Sequence, residues 1–241
     1  MTLFFTSFLL LNAVFLTLYC STVDYLENRH RDESLTALSN EPVQKRCTTK
    51  KGKIKRLLSY IYSKATPYLY GWMRYWIIVT GHFPSHRIRN FIYRHIFRMK
   101  ITKRTVIQGG CEIRSPWNIH ADNCVIFTGC ILDGRSGIII GNNVVFGGYV
   151  RVWTQEHDFN DSDFKVQGAS VIIEDRSWIC SDSTILPGVH IGKGAVIASK
   201  SCVTKNCDDY TVYAGIPARK IADRSKELHY VLSGKPVWHF Y

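Results

Sequence analysis

Near its C-terminus the chain places an aliphatic residue at every sixth position: Ile173, Ile179, Ile185, Ile191, Ile197 and Val203. A helix repeats its apolar face every three or four residues and a strand every second one, so neither explains this period. The residue four places beyond each aliphatic is small or slim: Ser177, Ser183, Val189, Ala195, Ser201 and Cys207. Together these describe a chain wound in flat-sided coils, one short strand per side. Each aliphatic points into the coil and the small residue lets the corner turn tightly. Three hexads make a coil. Stacked coils pair their backbones along the axis while the aliphatic ladder fills the interior. A sandwich of ordinary short strands is the competing reading, and an unslipped run of this length argues against it.

The spacing recurs upstream at Ile140, Phe146 and Val152, and in an offset block at Ile113, Ile119, Val125 and Ile131. A turn signal at Gly134–Gly137 accounts for the offset. Between Val152 and Ile173 the ladder stops for a polar stretch that begins Trp153-Thr-Gln-Glu-His-Asp158 and ends at Gly168. A break of this kind is an excursion from a corner. The expected fold is an all-β core, a parallel β-helix of hexapeptide repeats over residues 105–221, followed by a C-terminal tail at 222–241. Residues 53–104 show helical spacing (Ile54, Leu57, Leu58, Ile61, then Ile88, Phe91, Ile92, Ile96 beyond Pro84). They are expected to form two or three helices that cap the open end of the β-helix and hide its first edge.

Charge is unevenly distributed. From Pro42 to Cys111 there are 16 Lys and Arg and no Asp or Glu, leaving 15 basic against 19 acidic residues elsewhere. The formal net charge of +12 therefore comes wholly from this segment. It is also rich in aromatics, among them Tyr68, Trp72, Tyr75, Trp76 and Phe91. Basic residues interleaved with aromatics suit an anionic membrane surface or lipid-linked acceptor. The plainer reading is a solvated basic helix pair packed on the β-helix. Nucleic acid is a third reading, and no nucleic-acid motif supports it. The eight cysteines include no C-x-x-C pair, and most sit in or beside repeats as small apolar residues, which fits a reducing compartment.

Residues 1–20 are almost wholly apolar, and 21–52 form a polar linker without periodicity. The first segment reads as an uncleaved anchor, a poor signal peptide or an over-extended start. Its basic flank lies on the C-terminal side. The expected location is the cytoplasm, with attachment to the inner face of the cytoplasmic membrane.

His157 stands out because it lies in the excursion, and a loop projecting from a rigid scaffold is where reactive groups are usually placed. A neutral histidine can take a proton from an attacking hydroxyl near pH 7. Glu156 and Asp158 flank it, placed to orient or charge-stabilise the imidazole and to contact an acceptor. No second histidine lies close behind His157, so a metal site is not expected.

Residues from about 105 to 221 resemble the hexapeptide-repeat acyltransferases, and within them the maltose, galactoside and colanic-acid O-acetyltransferase group. The resemblance is carried by Ile140-Gly-Asn-Asn-Val144, Thr154-Gln-Glu-His-Asp158, Ser177-Trp-Ile179, Ile185-Leu-Pro-Gly-Val-His-Ile-Gly192, Val203-Thr-Lys205 and Ala214-Gly-Ile-Pro-Ala-Arg-Lys-Ile221. Gly81-His-Phe-Pro-Ser-His-Arg-Ile-Arg89 looks like the lead-in helix of polysaccharide-type members. The resemblance implies a left-handed β-helix, a homotrimer with sites between subunits, and acetyl-CoA as co-substrate. It implies His157 as the catalytic base. Trp178, Ser181, Ala198, Ser199, Thr204, Lys205 and Arg219 fall at coenzyme-contacting positions, and Asp133 matches an acceptor-contacting acid. Lys205 and Arg219 also suit the phosphates of the donor on charge alone. Where galactoside-type members carry an acceptor-binding Asn, this chain has Phe127-Thr-Gly129. The acceptor implied is thus a hydroxyl of some other sugar or polysaccharide precursor. With no Ser or Cys beside His157, attack on the thioester is expected to be direct, without an acyl-enzyme. A non-catalytic trimeric scaffold and an N-acyltransferase on an amino sugar are the alternatives.

Overall fold

The computed structural model describes residues 10–23 and 50–233. The chain divides into two compact units, Met1–Trp76 and Ile77–Tyr241. In the first, residues 10–23 form helix α1. Its Thr17, Ser21 and Thr22 hydroxyls donate to carbonyls four residues back. Helix α2 (Lys50–Gly81) runs through the unit boundary. Among the described residues no helix is long and apolar enough to cross a membrane. Residues 1–9, on which part of the expected anchor falls, and residues 24–49, most of the expected linker, lie outside the described residues.

In the second unit, a short turn through Phe83 and Pro84 leads to α3 (His86–His95) and then to the coils. Coil one holds β1 (Lys100–Ile101), β2 (Val106–Ile107) and β3 (Glu112–Arg114); coil two, β4 (Ile119–Ala121), β5 (Val125–Ile126) and β6 (Ile131–Asp133). Coil three holds β7 (Ile138–Ile140), β8 (Val145–Phe146) and β9 (Arg151–Val152), after which a hairpin, β10 (Gln155–His157) and β11 (Val166–Gly168), leaves the coil. Coil four holds β12 (Val171–Ile173), β13 (Trp178–Ile179) and β14 (Thr184–Ile185); coil five, β15 (His190–Ile191), β16 (Val196–Ile197) and β17 (Cys202–Val203). The chain closes with β18 (Thr211–Gly215) and β19 (Ala218–Asp223). The result is a parallel β-helix of about six turns, as the ladder implied, with the left hand that the resemblance implied. Strands stack into three faces: β1-β4-β7-β12-β15 on the first, β2-β5-β8-β13-β16-β18-β19 on the second, and β3-β6-β9-β14-β17 on the third. Only β19 runs antiparallel to its neighbour in these faces.

An apolar column runs up the inside of each face. Ala121, Ile140, Ile173 and Ile191 line the first; Ile107, Ile126, Phe146, Ile179 and Ile197 the second; Ile113, Leu132, Val152, Ile185 and Val203 the third. All are buried, and each buried aliphatic of this size stabilises the fold by about 1.5–3 kcal/mol. The small residues after each hexad are buried too, and their hydroxyls are satisfied. Ser177 donates to the carbonyls of Glu174 and Gly192, and Ser183 to that of Cys180.

Every corner between the second and third faces places the third residue beyond the inward one at positive φ. This is Gly110, Gly129, Tyr149, Asp182 and Lys200 in successive coils. Gly129 has a second reason to be glycine: a Cβ there would lie 2.4 Å from the Tyr149 ring of the next coil.

The offset block reads differently from the expectation at two positions. Ile113 and Ile119 are buried, but Val125 and Ile131 are half-buried on the outside, and Ile126 and Leu132 take the interior. The cause is a 3-10 turn at Pro116–Asn118, which lengthens the corner so that Ala121, not Ile119, stands in register with Ile140. The next corner is one residue shorter and restores the stack. The expected turn at Gly134–Gly137 is a second 3-10 turn, Gly134–Ser136. Boundaries shift slightly as well: α2 begins at Lys50, and the first coil starts at Lys100.

A parallel coil leaves the outward-facing backbone groups of its first turn without a neighbour. Helix α3 supplies donors from side chains. Arg89 donates to the carbonyls of Phe83 and Ile107 (3.0 Å to the latter), Asn90 to Thr105 (2.6 Å) and Arg94 to Ile101 (2.9 Å). At the other end, the β18–β19 hairpin covers the last strand of the second face. The register correction is testable by urea unfolding. Ile126→Ala should cost about 2–5 kcal/mol and Val125→Ala less than about 1 kcal/mol, and equal losses would sink the assignment.

Candidate active site

The break in the ladder is built from its base outward. Thr154, buried where the chain leaves β9, donates its hydroxyl to the Asp133 carbonyl (2.7 Å) and accepts from the Ser136 N–H (2.9 Å). Its own N–H donates to the Asp133 carboxylate (3.3 Å), and its carbonyl accepts from Ala169 (3.0 Å). Asp133 is fully buried, and Arg135 grips both its oxygens, at 2.7 and 2.8 Å. Burial pushes the Asp133 pKa up, but the guanidinium and the N–H groups of Thr154 and Arg135 outweigh it and hold it below the usual carboxylate value. The coil-two corner is thereby latched to both ends of the excursion.

From that base β10 and β11 pair antiparallel, Gln155 opposite Gly168, Glu156 opposite Gln167 and His157 opposite Val166. The tip turns through Asn160-Asp-Ser-Asp163, with Asp158 and Asp161 carboxylates accepting from N–H groups two residues on. Lys165 bridges Asp161 and Asp163.

His157 is exposed on this hairpin. Its ring lies flat on that of Phe164, with centroids 4.1 Å apart and planes within 7°, and its Nδ1 is 2.6 Å from the Phe164 carbonyl. A carbonyl can only accept, so Nδ1 carries the proton. In the neutral ring Nε2 is then left with its lone pair. The imidazole is thus fixed in orientation and tautomer by one residue across the hairpin.

The remaining expected residues line the corners and outer faces. Trp178 is exposed on the second face between Val145 and Val196. Ser181, Ala198 and Ser199 share the corner between the second and third faces. Ser181 there accepts from the Lys200 N–H and lies against Gly147, where a Cβ would come within 2.5 Å of the Ser181 nitrogen. Thr204 and Lys205 are exposed on the corner between the third and first faces, the same column from which the hairpin springs. Arg219 is exposed on β19.

Comparison with known proteins agrees with this architecture. The family model for bacterial transferase hexapeptide (six repeats) matches residues 170–205. The putative colanic acid biosynthesis acetyltransferase WcaF of Escherichia coli is 30% identical over 140 residues, covering 58% of this chain and 76% of that protein. The chain belongs to the hexapeptide-repeat acetyltransferases. A galactoside O-acetyltransferase of Lactococcus lactis is 40% identical over 143 residues, covering 52% of this acetyltransferase and 69% of its relative. A hexapeptide-repeat acetyltransferase from Vibrio cholerae shares the fold, with a TM-score of 0.57 at 24% identity, over 62% of this chain and 87% of its own. That protein has also been solved with acetyl coenzyme A.

Within this acetyltransferase chain the expected residues do not gather at one place. Ser181, Ala198 and Ser199 lie at one edge of the third face; Thr204 and Lys205 lie at the other, up to about 20 Å away along six residues of strand and corner, and the hairpin that carries His157 leaves from that same edge two coils earlier. Three expectations change. Asp133 does not face an acceptor, because its carboxylate is buried and committed to Arg135 and Thr154. Glu156 points to the opposite side of β10 from His157, as alternation requires, and its carboxylate pairs with Gln167 at 3.4 Å. Asp158 caps the tip turn through Asn160 instead of holding the imidazole. The group that does hold it, Phe164, was missed, as was the Thr154 latch. The Asn160–Asp163 turn signature was the available clue, since counting outward from it pairs His157 with the strand after Phe164.

The latch carries a signed pH dependence. Because the folded pKa of Asp133 is depressed, its stabilisation is full above the unfolded value of about 3.9 and is lost as pH falls through the lower folded value. Asp133→Asn should lower the unfolding free energy at pH 7 by about 1–3 kcal/mol. The gap from wild type should narrow toward pH 3; a gap independent of pH would exclude the charge as its source.

Proposed function

We propose that this acetyltransferase moves an acetyl group from acetyl-CoA to a hydroxyl of a sugar or polysaccharide precursor, with His157 as general base. The observation that carries the reading is the Nδ1–H bond to the Phe164 carbonyl, which leaves Nε2 as a lone-pair acceptor on an exposed, stacked ring. Nε2 takes the proton of the acceptor hydroxyl as its oxygen attacks the thioester carbonyl. The C–O bond forms, a corner N–H stabilises the oxyanion, and the C–S bond breaks. The leaving thiolate takes the proton back from Nε2, which restores the neutral ring. The names of the two curated relatives support a sugar or glycan acceptor and an O-acyl product.

In this reading Trp178, Ser181, Ala198, Ser199, Thr204, Lys205 and Arg219 hold the donor, the two cations serving its phosphates. The split of these residues across both edges of the third face favours a site at the boundary between copies in a homotrimer, where one subunit's hairpin meets its neighbour's corner.

The test follows thiol release from acetyl-CoA with glycan acceptors present, with products read by mass spectrometry. His157→Ala should lower kcat by about 10²–10⁴-fold while KM for acetyl-CoA stays within about twofold. A variant as fast as wild type removes the general-base assignment, and acetylation confined to amines would replace the O-acyl reading.

A further inference from the structure

Helix α3 turns charged and polar side chains to the protein: Arg89 is 0% exposed, and with Asn90 and Arg94 it caps the carbonyls of the first coil, beside the buried Tyr93. Two of its apolar residues face out. Phe91 is 60% exposed and Ile88 44%, one turn apart on a single stripe, and Phe83, in the turn that leads into the helix, is 41% exposed. His95 continues the stripe, its ring 4.6 Å from that of Phe91.

Five exposed cations lie on the helix or in the segments next to it: Arg87 on the helix, Arg98 and Lys100 just after it, and Lys103 and Arg104 in the first corner. That corner is held beside α3 by the Asn90–Thr105 and Arg94–Ile101 bonds. Among the described residues none of the five forms an ion pair. The first carboxylates downstream are turned to other uses or set further back. Glu112 is paired with Arg114, and Asp122 lies one coil away from the helix.

We propose that this face of α3, with Phe83 at its edge and the five neighbouring cations, docks on an anionic lipid surface. Aromatic and branched side chains entering the headgroup boundary, with Lys and Arg nearby, are what an interfacial helix uses. The charge favours lipid over a second copy of the chain, since two such faces brought together would set five cations against five. The arrangement has a structural origin. Once the first coil claims Arg89, Asn90 and Arg94 for its carbonyls, Ile88 and Phe91 are left outside.

The full chain can be sedimented with vesicles of phosphatidylcholine alone and with about three-tenths phosphatidylglycerol. Partition should be at least about tenfold stronger on the anionic vesicles and should weaken in about 0.5 M salt. Ile88→Ser/Phe91→Ser and, separately, Arg87→Glu/Lys103→Glu/Arg104→Glu should each lose about tenfold or more. Both alter exposed side chains, so thermal midpoints within a few degrees of wild type are expected. Variants that bind as wild type does would place any lipid contact in the apolar N-terminal segment and overturn the proposal. So would equal binding to neutral and anionic vesicles. A smaller assembly for Ile88→Ser/Phe91→Ser in light scattering would make the face a contact between copies, and would overturn it as well.

Discussion

Backbone hydrogen bonding between stacked coils is the constraint on which the rest depends. Each coil satisfies its neighbour, so the fold has two places where peptide groups face nothing, and both must be covered by something else. At the C-terminal end the β18–β19 hairpin does this with backbone on the second face. At the N-terminal end it is done with side chains, by Arg89, Asn90 and Arg94. That choice fixes how α3 is rotated, which brings Arg89, Asn90 and Arg94 to the protein and puts Ile88 and Phe91 outside. A surface property of the molecule thus follows from an unpaired edge in its core.

The corners carry the second constraint. At most corners one residue takes a left-handed conformation and the next small residue tucks beneath it. Between the second and third faces glycine does this in the first two coils, and Tyr149, Asp182 and Lys200 do it in the next three. Because the corners are rigid and stacked, an insertion at one of them projects without disturbing the columns. The hairpin after β9 is such an insertion. The Asp133–Arg135–Thr154 latch converts it from a loose loop into an arm with a defined exit direction. The orientation of His157 then needs only one further contact, to Phe164 across the hairpin.

Much of this was legible in the sequence, for a physical reason. A six-residue period is imposed by coil geometry and survives in the residue pattern, so Ile173 through Val203 announce both the fold and their own inward direction. The excursion was legible for the same reason, as the place where the period fails. Where a short turn alters the step, as at Pro116–Asn118, the pattern misleads by one residue. Val125 and Ile126 are equally apolar, and only the stack decides which goes inside. The acids around His157 misled in another way. Sequence neighbours on a strand point to opposite sides, so Glu156 adjoins the histidine in the chain and not in space.

The sequence by itself determined the coil, its interior columns from Ile140 onward, the excursion and the histidine within it, because these depend on local period and composition. Only the tertiary structure decided that Asp133 is a buried latch, that Phe164 sets the imidazole tautomer, and that α3 leaves Ile88 and Phe91 outside. Each of these depends on which groups from distant parts of the chain meet at one backbone edge, and no local pattern encodes that meeting.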